Sequence, residues 1–258
     1  MRRARLQKQQ SRKSIVPILI TSTLLVVLTF ILVTFFIKLS NLPKFSYVNK
    51  HSDGGAEVVV VDSKSDKLIK YKIEPQTVLN SARGFGEYKL ESLWVLGQKE
   101  GMGGKLVAES IASNYLAPIY LWDDGQNSNL NIYQKIKTKL LKIENVETSG
   151  IWDTFELHNS VLINFIDDNI QEKSIVVEVE DLTGSQSVIN KVSSIVGTLG
   201  TKVSGYNKGY EENYDCSITT KSREIGLIFA NVFDCVVSSD KASDVVKIKL
   251  GAKFADRF

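Results

Sequence analysis

Residues 15–37 form an apolar run with no charge in it, and everything after them is broken into short apolar segments by polar turns. A helix rises about 1.5 Å per residue, so roughly 20 apolar residues cross a bilayer core of about 30 Å. The run therefore predicts a membrane-spanning helix. It exceeds the apolar part of a cleaved signal, usually about 7 to 15 residues, and ends Thr-Phe-Phe-Ile-Lys-Leu-Ser with no small-residue cleavage pattern. An uncleaved anchor is expected, with residues 38–49 as a linker behind it.

An alternating segment follows the linker. Residues 57–62 and 68–73 read as two strands joined by the polar turn Ser63-Lys-Ser-Asp-Lys67, a β-hairpin. Helical spacing follows at 105–115, where Val107, Ile111 and Tyr115 share a face with Ala108 and Ala112 behind a glycine-rich turn. A second helix is expected over 131–143, with Tyr133, Ile136, Leu140 and Ile143 as its apolar stripe and Lys135, Lys137, Lys139 and Lys142 on a solvated face. The polar stretch 167–173 separates a domain at 50–168 from one at 174–258. The second reads as β-α-β-β-α-β: strands at 175–181, 202–206, 216–220 and 245–250, and helices at 188–199 and from 222 to 232, with Gly200 a C-cap and Ser222 an N-cap. The fold class is α/β, with helices on one face of the second sheet.

Charge fixes an orientation. Arg2, Arg3, Arg5, Lys8, Arg12 and Lys13 precede the apolar run, only Lys38 and Lys44 follow it closely, and no acidic residue comes before Asp53. That bias predicts a cytoplasmic tail at 1–14 and an extracytoplasmic remainder. Without those six cations the chain carries 26 basic against 29 acidic residues, which argues against nucleic acid as a partner. Cys216 and Cys235 lie in the exported part, where a disulfide can persist. Two buried free thiols are the alternative. Neither has neighbours at metal-ligand spacing, and no cofactor is expected.

The second domain carries a resemblance. Val177-Glu-Val-Glu-Asp-Leu-Thr-Gly184, a helix ending in Leu199-Gly200, Lys202-Val203 and the closing Val246-Lys-Ile-Lys-Leu-Gly251 resemble the C-terminal domain found on LytR/CpsA/Psr proteins. Asp181-Leu-Thr-Gly184 stands in for the family's Asn-Gly-Thr-Gly-like turn, and Ser185 is placed to cap the helix after it. In the first domain His51-Ser-Asp53, Ile73-Glu-Pro-Gln-Thr77, Lys89-Leu-Glu-Ser-Leu-Trp94 and the helix from Gly103 are similar, in order, to a catalytic LytR/CpsA/Psr domain.

Members of that family transfer glycopolymers from a polyprenyl pyrophosphate carrier to peptidoglycan, holding the pyrophosphate with arginines and using acidic residues with a divalent metal. This chain departs from the pattern: His51 stands for the first arginine and Pro75-Gln76 for the Arg-Asp pair. Asp53 is the retained acidic position, and Arg83 falls outside the aligned arginines. His51, Asp53 and Arg83 thus form a candidate remnant phosphate or metal site, with Lys70, Lys72 and Lys89 as point charges. Arginine forks are the usual grip on pyrophosphate, so a degenerate, non-catalytic domain is expected. A weak or altered glycopolymer phosphotransferase is the alternative.

Other residues invite a role. His158, the other histidine, is too far along the chain to make a cluster with His51. Gly101-Met-Gly-Gly104 lacks a P-loop ending and reads as the turn into a helix. Trp94 reads as core, whereas Trp122, beside two aspartates and a glycine, and Tyr206 and Tyr210, in a loop with Tyr214, are candidates for stacking on sugar rings; Trp152 is a third tryptophan. The expected whole is a single-pass cell-envelope protein, a scaffold or binding module whose partner is a cell-wall glycopolymer, a lipid-linked carrier or another envelope protein.

Overall fold

The computed structural model describes residues 2–144, 161–239 and 245–258. Helix α1 (Arg2–Ser40) contains a segment, Ile20–Ser40, long and apolar enough to cross a membrane, exposed over most of its length with Leu39 buried near its end. Its hydroxyls need no water: Thr23, Thr34 and Ser40 donate to carbonyls of the preceding turn at 2.9–3.0 Å, and Thr29 to that of Leu25.

Strands β1 (Phe45–Lys50), β2 (Ala56–Asp62) and β3 (Lys67–Ile73) form an antiparallel meander. A small hairpin, β4 (Val78–Asn80) with β5 (Glu87–Lys89), follows. Then come α2 (Leu90–Lys99), α3 (Lys105–Tyr115), β6 (Leu121–Asp123), α4 (Ile132–Leu140) and β7 (Lys142–Glu144). The first sheet has the order β6-β1-β2-β3-β7, both edge strands running parallel to their neighbours. One face packs Val48, Val58, Val60 and Tyr71 against Trp94 of α2 and Ile111 of α3. The other holds Phe45, Tyr47, Val59, Val61 and Leu68 with Leu121 and Leu130.

The expected linker is therefore corrected. Residues 45–49 belong to a strand paired with both β2 and β6, and Phe45, Ser46, Tyr47 and Val48 are all buried. Covering both faces removes the alternation by which a strand is recognised. The second expected helix is also shorter: α4 stops at Leu140, and Ile143 lies in β7. Its polarity is partly inverted. Lys137, expected on the solvated row, is 8% exposed and reaches Asp66 at 2.9 Å, whereas Leu140, expected in the apolar stripe, is 65% exposed.

The second half begins with α5 (Asp168–Glu172), capped by the Asp167 carboxylate, which accepts from the Asn169 and Ile170 amides. It continues through β8 (Val176–Leu182), α6 (Gln186–Thr198), β9 (Lys202–Lys208), β10 (Cys216–Thr220), α7 (Arg223–Phe233), β11 (Val236–Ser239), β12 (Val246–Gly251) and α8 (Ala252–Arg257). The sheet order is β11-β10-β12-β8-β9, so the expected β-α-β-β-α-β order gains β11, which runs parallel to β10. Its core gathers Val177, Val179, Val192, Val196, Ile218, Phe229, Ile248 and Phe254. Asp181 builds the expected turn by accepting from the Thr183 amide (3.0 Å) and hydroxyl (2.7 Å), with Gly184 at φ +70°. Ser185 occupies the N-cap position of α6 without a side-chain cap, whereas Ser222 accepts from the Ile225 amide.

Candidate functional site

The residues singled out in the first domain do not converge. Asp53 shapes the turn between β1 and β2: its carboxylate accepts from the Gly55 amide at 2.8 Å, lies 3.0 Å from His51 Nδ1 and pairs with Lys72 at 3.1 Å. The Gly55 amide, then His51 and Lys72, hold this carboxyl well below the ordinary carboxylate range. Asp53 thus acts as a turn former whose charge is already met.

Arg83 lies elsewhere. In a 3-10 turn at φ 65°, it forks onto Glu109 of α3 with Nε–Oε2 and Nη2–Oε1 distances of 2.8 Å, and the hydrogen-bonded carboxylate raises its pKa. The three residues of the candidate remnant site are thereby split between two places. Of the point-charge lysines, Lys72 joins Asp53 and Lys70 pairs with Glu57 at 3.2 Å, while exposed Lys89 ends β5.

The aromatic candidates are separated too. Trp122 leans on the turn before α3, where a Cβ added to Gly104 would lie 2.6 Å from its ring. The amides of Met102 and Gly103 both donate to the Gly97 carbonyl at 2.8 and 2.9 Å, and that of Gly101 to Gln98 at 3.2 Å. The glycine run is a tight helix start in which the Gly101, Met102 and Gly103 amides are spent internally. Tyr206 shares a hydrogen bond with Ser193 at 2.7 Å, and Tyr210, 67% exposed, lies over Gly184. Trp94 is buried, its indole N–H donating to the Gly55 carbonyl at 3.3 Å. Trp152 and His158 lie outside the described residues.

One cleft lies between the two halves. It encloses about 450 Å³, bounded by α3 and α4 on one side and the end of α7 with α8 on the other. Such a volume suits a small ligand or one segment of a polymer. Lys105 bridges it at one edge, 2.7 Å from Asp234. Burial pulls the Asp234 carboxyl upward, but Lys105, Arg257 and Arg83 outweigh it and leave it below its ordinary value. Arg257 reaches Asp215 at 3.0 Å and the Asp234 carbonyl at 3.0 Å, and packs over Phe254. The cations Arg83, Lys105 and Arg257 are thus matched by Glu109, Asp234 and Asp215.

Amides fill the space between. Asn131 and Gln134 form a reciprocal capping box at the start of α4, and Asn231 lines the cleft with Tyr120, whose phenol is pushed up to about 12 by burial. The cysteines settle this wall: Cys216 and Cys235 are joined, with Cα atoms 5.1 Å apart. The bond ties β10 to the residue after Asp234, whose left-handed backbone (φ 53°) ends α7. Sequence reasoning missed Lys105, Glu109, Asn231, Asp234 and Arg257, because no local motif joins residues so far apart. Among the described residues no three His, Cys, Asp or Glu side chains gather in a way that could hold a metal ion. Compared with models of protein families, with curated proteins and with solved structures, the chain matches none.

Proposed function

We propose that this is a single-pass cell-envelope protein whose two extracytoplasmic halves form a non-catalytic binding module, with the cleft between them as the ligand site. The charge bias about α1 supports the orientation. The observation that carries the binding reading is the charge closure of the cleft: each arginine or lysine on it already has its carboxylate. A pyrophosphate would have to break those pairs, whereas an uncharged hydroxyl-rich chain can be met by the amides of Asn131, Gln134 and Asn231. The resemblance to LytR/CpsA/Psr proteins points to an envelope glycopolymer as that chain.

The test uses the full chain in detergent micelles, titrated with soluble peptidoglycan fragments and, separately, with labelled polyprenyl pyrophosphate and magnesium. Saturable binding of the fragments, weakened by Asn231→Ala, with no phosphate release, is the expected result. Phosphate release would favour the glycopolymer phosphotransferase instead. Absence of fragment binding would remove the glycan as ligand.

A further inference from the structure

Helix α4 buries polar side chains and exposes apolar ones. Gln134 and Lys137 are inside, Lys137 neutralised by Asp66, while Ile132 and Leu140 are 64% and 65% exposed. Residues 132, 136 and 140 follow one another at four-residue spacing and share a face, flanked by exposed Lys135 and Lys139. In water this arrangement is unfavourable, since each large apolar side chain left exposed forgoes about 1.5–3 kcal/mol of burial.

The position of α4 supplies what would cover that face. The Tyr133 ring lies 5.3 Å from that of Phe35, near the end of α1, and Lys38 Nζ lies 5.9 Å from the same ring. The uncharged apolar run ends at Ile37, about 3 Å of helix rise beyond Phe35, and Lys38 follows it. Tyr133 is therefore held near the boundary between hydrocarbon and headgroups, where tyrosines collect.

Resting on the membrane-anchor reading of α1, we infer that α4 is an interfacial helix: it seats Ile132, Ile136 and Leu140 in the outer leaflet that α1 enters, while Lys135 and Lys139 meet anionic headgroups. Apolar area together with charge attraction is the physical basis of such in-plane helices. Docking would fix the tilt of the whole exported body, since α4 also walls the cleft through Asn131 and Gln134.

The experiment reconstitutes the full chain in vesicles containing phosphatidylglycerol, with lipids brominated high on the acyl chain as quenchers. Tryptophan is introduced as Ile132→Trp, Leu140→Trp and, as a control, Val236→Trp on the edge of the second sheet, where Val236 is 73% exposed. After subtraction of the parent signal, quenching at 132 and 140 is expected to exceed that at 236 by about twofold or more. Lys135→Glu with Lys139→Glu is expected to reduce it in anionic vesicles. Equal quenching at all three positions, or a blue-shifted but unquenched probe at 132, would overturn the inference, the latter in favour of a protein partner or second copy. Alkaline carbonate extraction of the same vesicles tests the anchor separately: release of the protein defeats the anchor reading, and retention without quenching defeats only the docking of α4.

Discussion

Arg83 and Glu109 meet as a two-pronged fork, both contacts at 2.8 Å, and this pair fixes the 3-10 turn after β4 to the middle of α3. Both side chains are less than one-third exposed, so solvent screens them only in part. Glu109→Gln leaves a half-buried guanidinium with one weaker acceptor, and the expected loss is about 1–3 kcal/mol in chemical denaturation. Arg83→Lys keeps the charge but not the fork and is expected to recover little of it. Equal stability of Glu109→Gln and the parent would show that the pair is not a structural tie.

Trp122 and Gly104 make a second contact open to a coupling test. A methyl group at residue 104 would sit 2.6 and 2.9 Å from two ring carbons, too close for any real side chain, so Gly104→Ala should destabilise by about 1–3 kcal/mol. Trp122→Leu removes the obstructing ring. In the double variant the alanine should then cost clearly less than it does alone, and additive losses would place the strain elsewhere.

These two contacts mark the limit of what the sequence discloses. The β2-β3 hairpin is legible because polar ends and a polar turn bound its apolar runs, although β2 packs against both cores, and α3 because its apolar residues keep helical spacing behind a glycine turn. β1 is hidden because Val48 and Tyr47 face two different cores. α4 misleads because a lysine is buried against Asp66 and a leucine is left outside, a pairing that only the tertiary fold creates. The cleft is the least legible feature: Glu109 and Arg257 face it from helices nearly 150 positions apart, and Asp53, which a local motif does pick out, is spent on its own turn.

The disulfide closes a loop whose ends are 19 positions apart and contains α7. Constraint of the unfolded chain by a loop of that size corresponds to about 3 kcal/mol. The paired substitution Cys216→Ser with Cys235→Ser should lower the denaturation midpoint accordingly. Because Arg257 approaches both Cys216 Sγ (3.2 Å) and the Asp234 carbonyl, the same change should also weaken ligand binding in the cleft. Unchanged stability on reduction would show that α7 and its flanking strands are held by their packing alone.

Asp167 offers a test by pH. Burial raises its carboxyl above the ordinary value, against the opposing effect of the Asn169 and Ile170 amides it caps and of Lys44. A carboxyl whose pKa is higher folded than unfolded binds its proton more tightly in the folded protein. Its contribution is fully present below the unfolded value of about 4 and is lost as pH rises through the higher folded value. Asp53 and Asp234, both lowered, work the other way: their contributions are present above about 4 and fade as pH falls through their folded values. The whole protein therefore mixes opposing slopes, and only the difference between variant and parent isolates Asp167. Asparagine caps a helix about as well as aspartate and carries no charge to desolvate. Asp167→Asn should thus gain stability relative to the parent between pH 4 and pH 7, measured as denaturation free energy at a series of pH values. A relative gain that instead shrinks with rising pH would mean that attraction to Lys44, which also bonds the Ile166 carbonyl at 2.7 Å, outweighs burial at this junction between the halves.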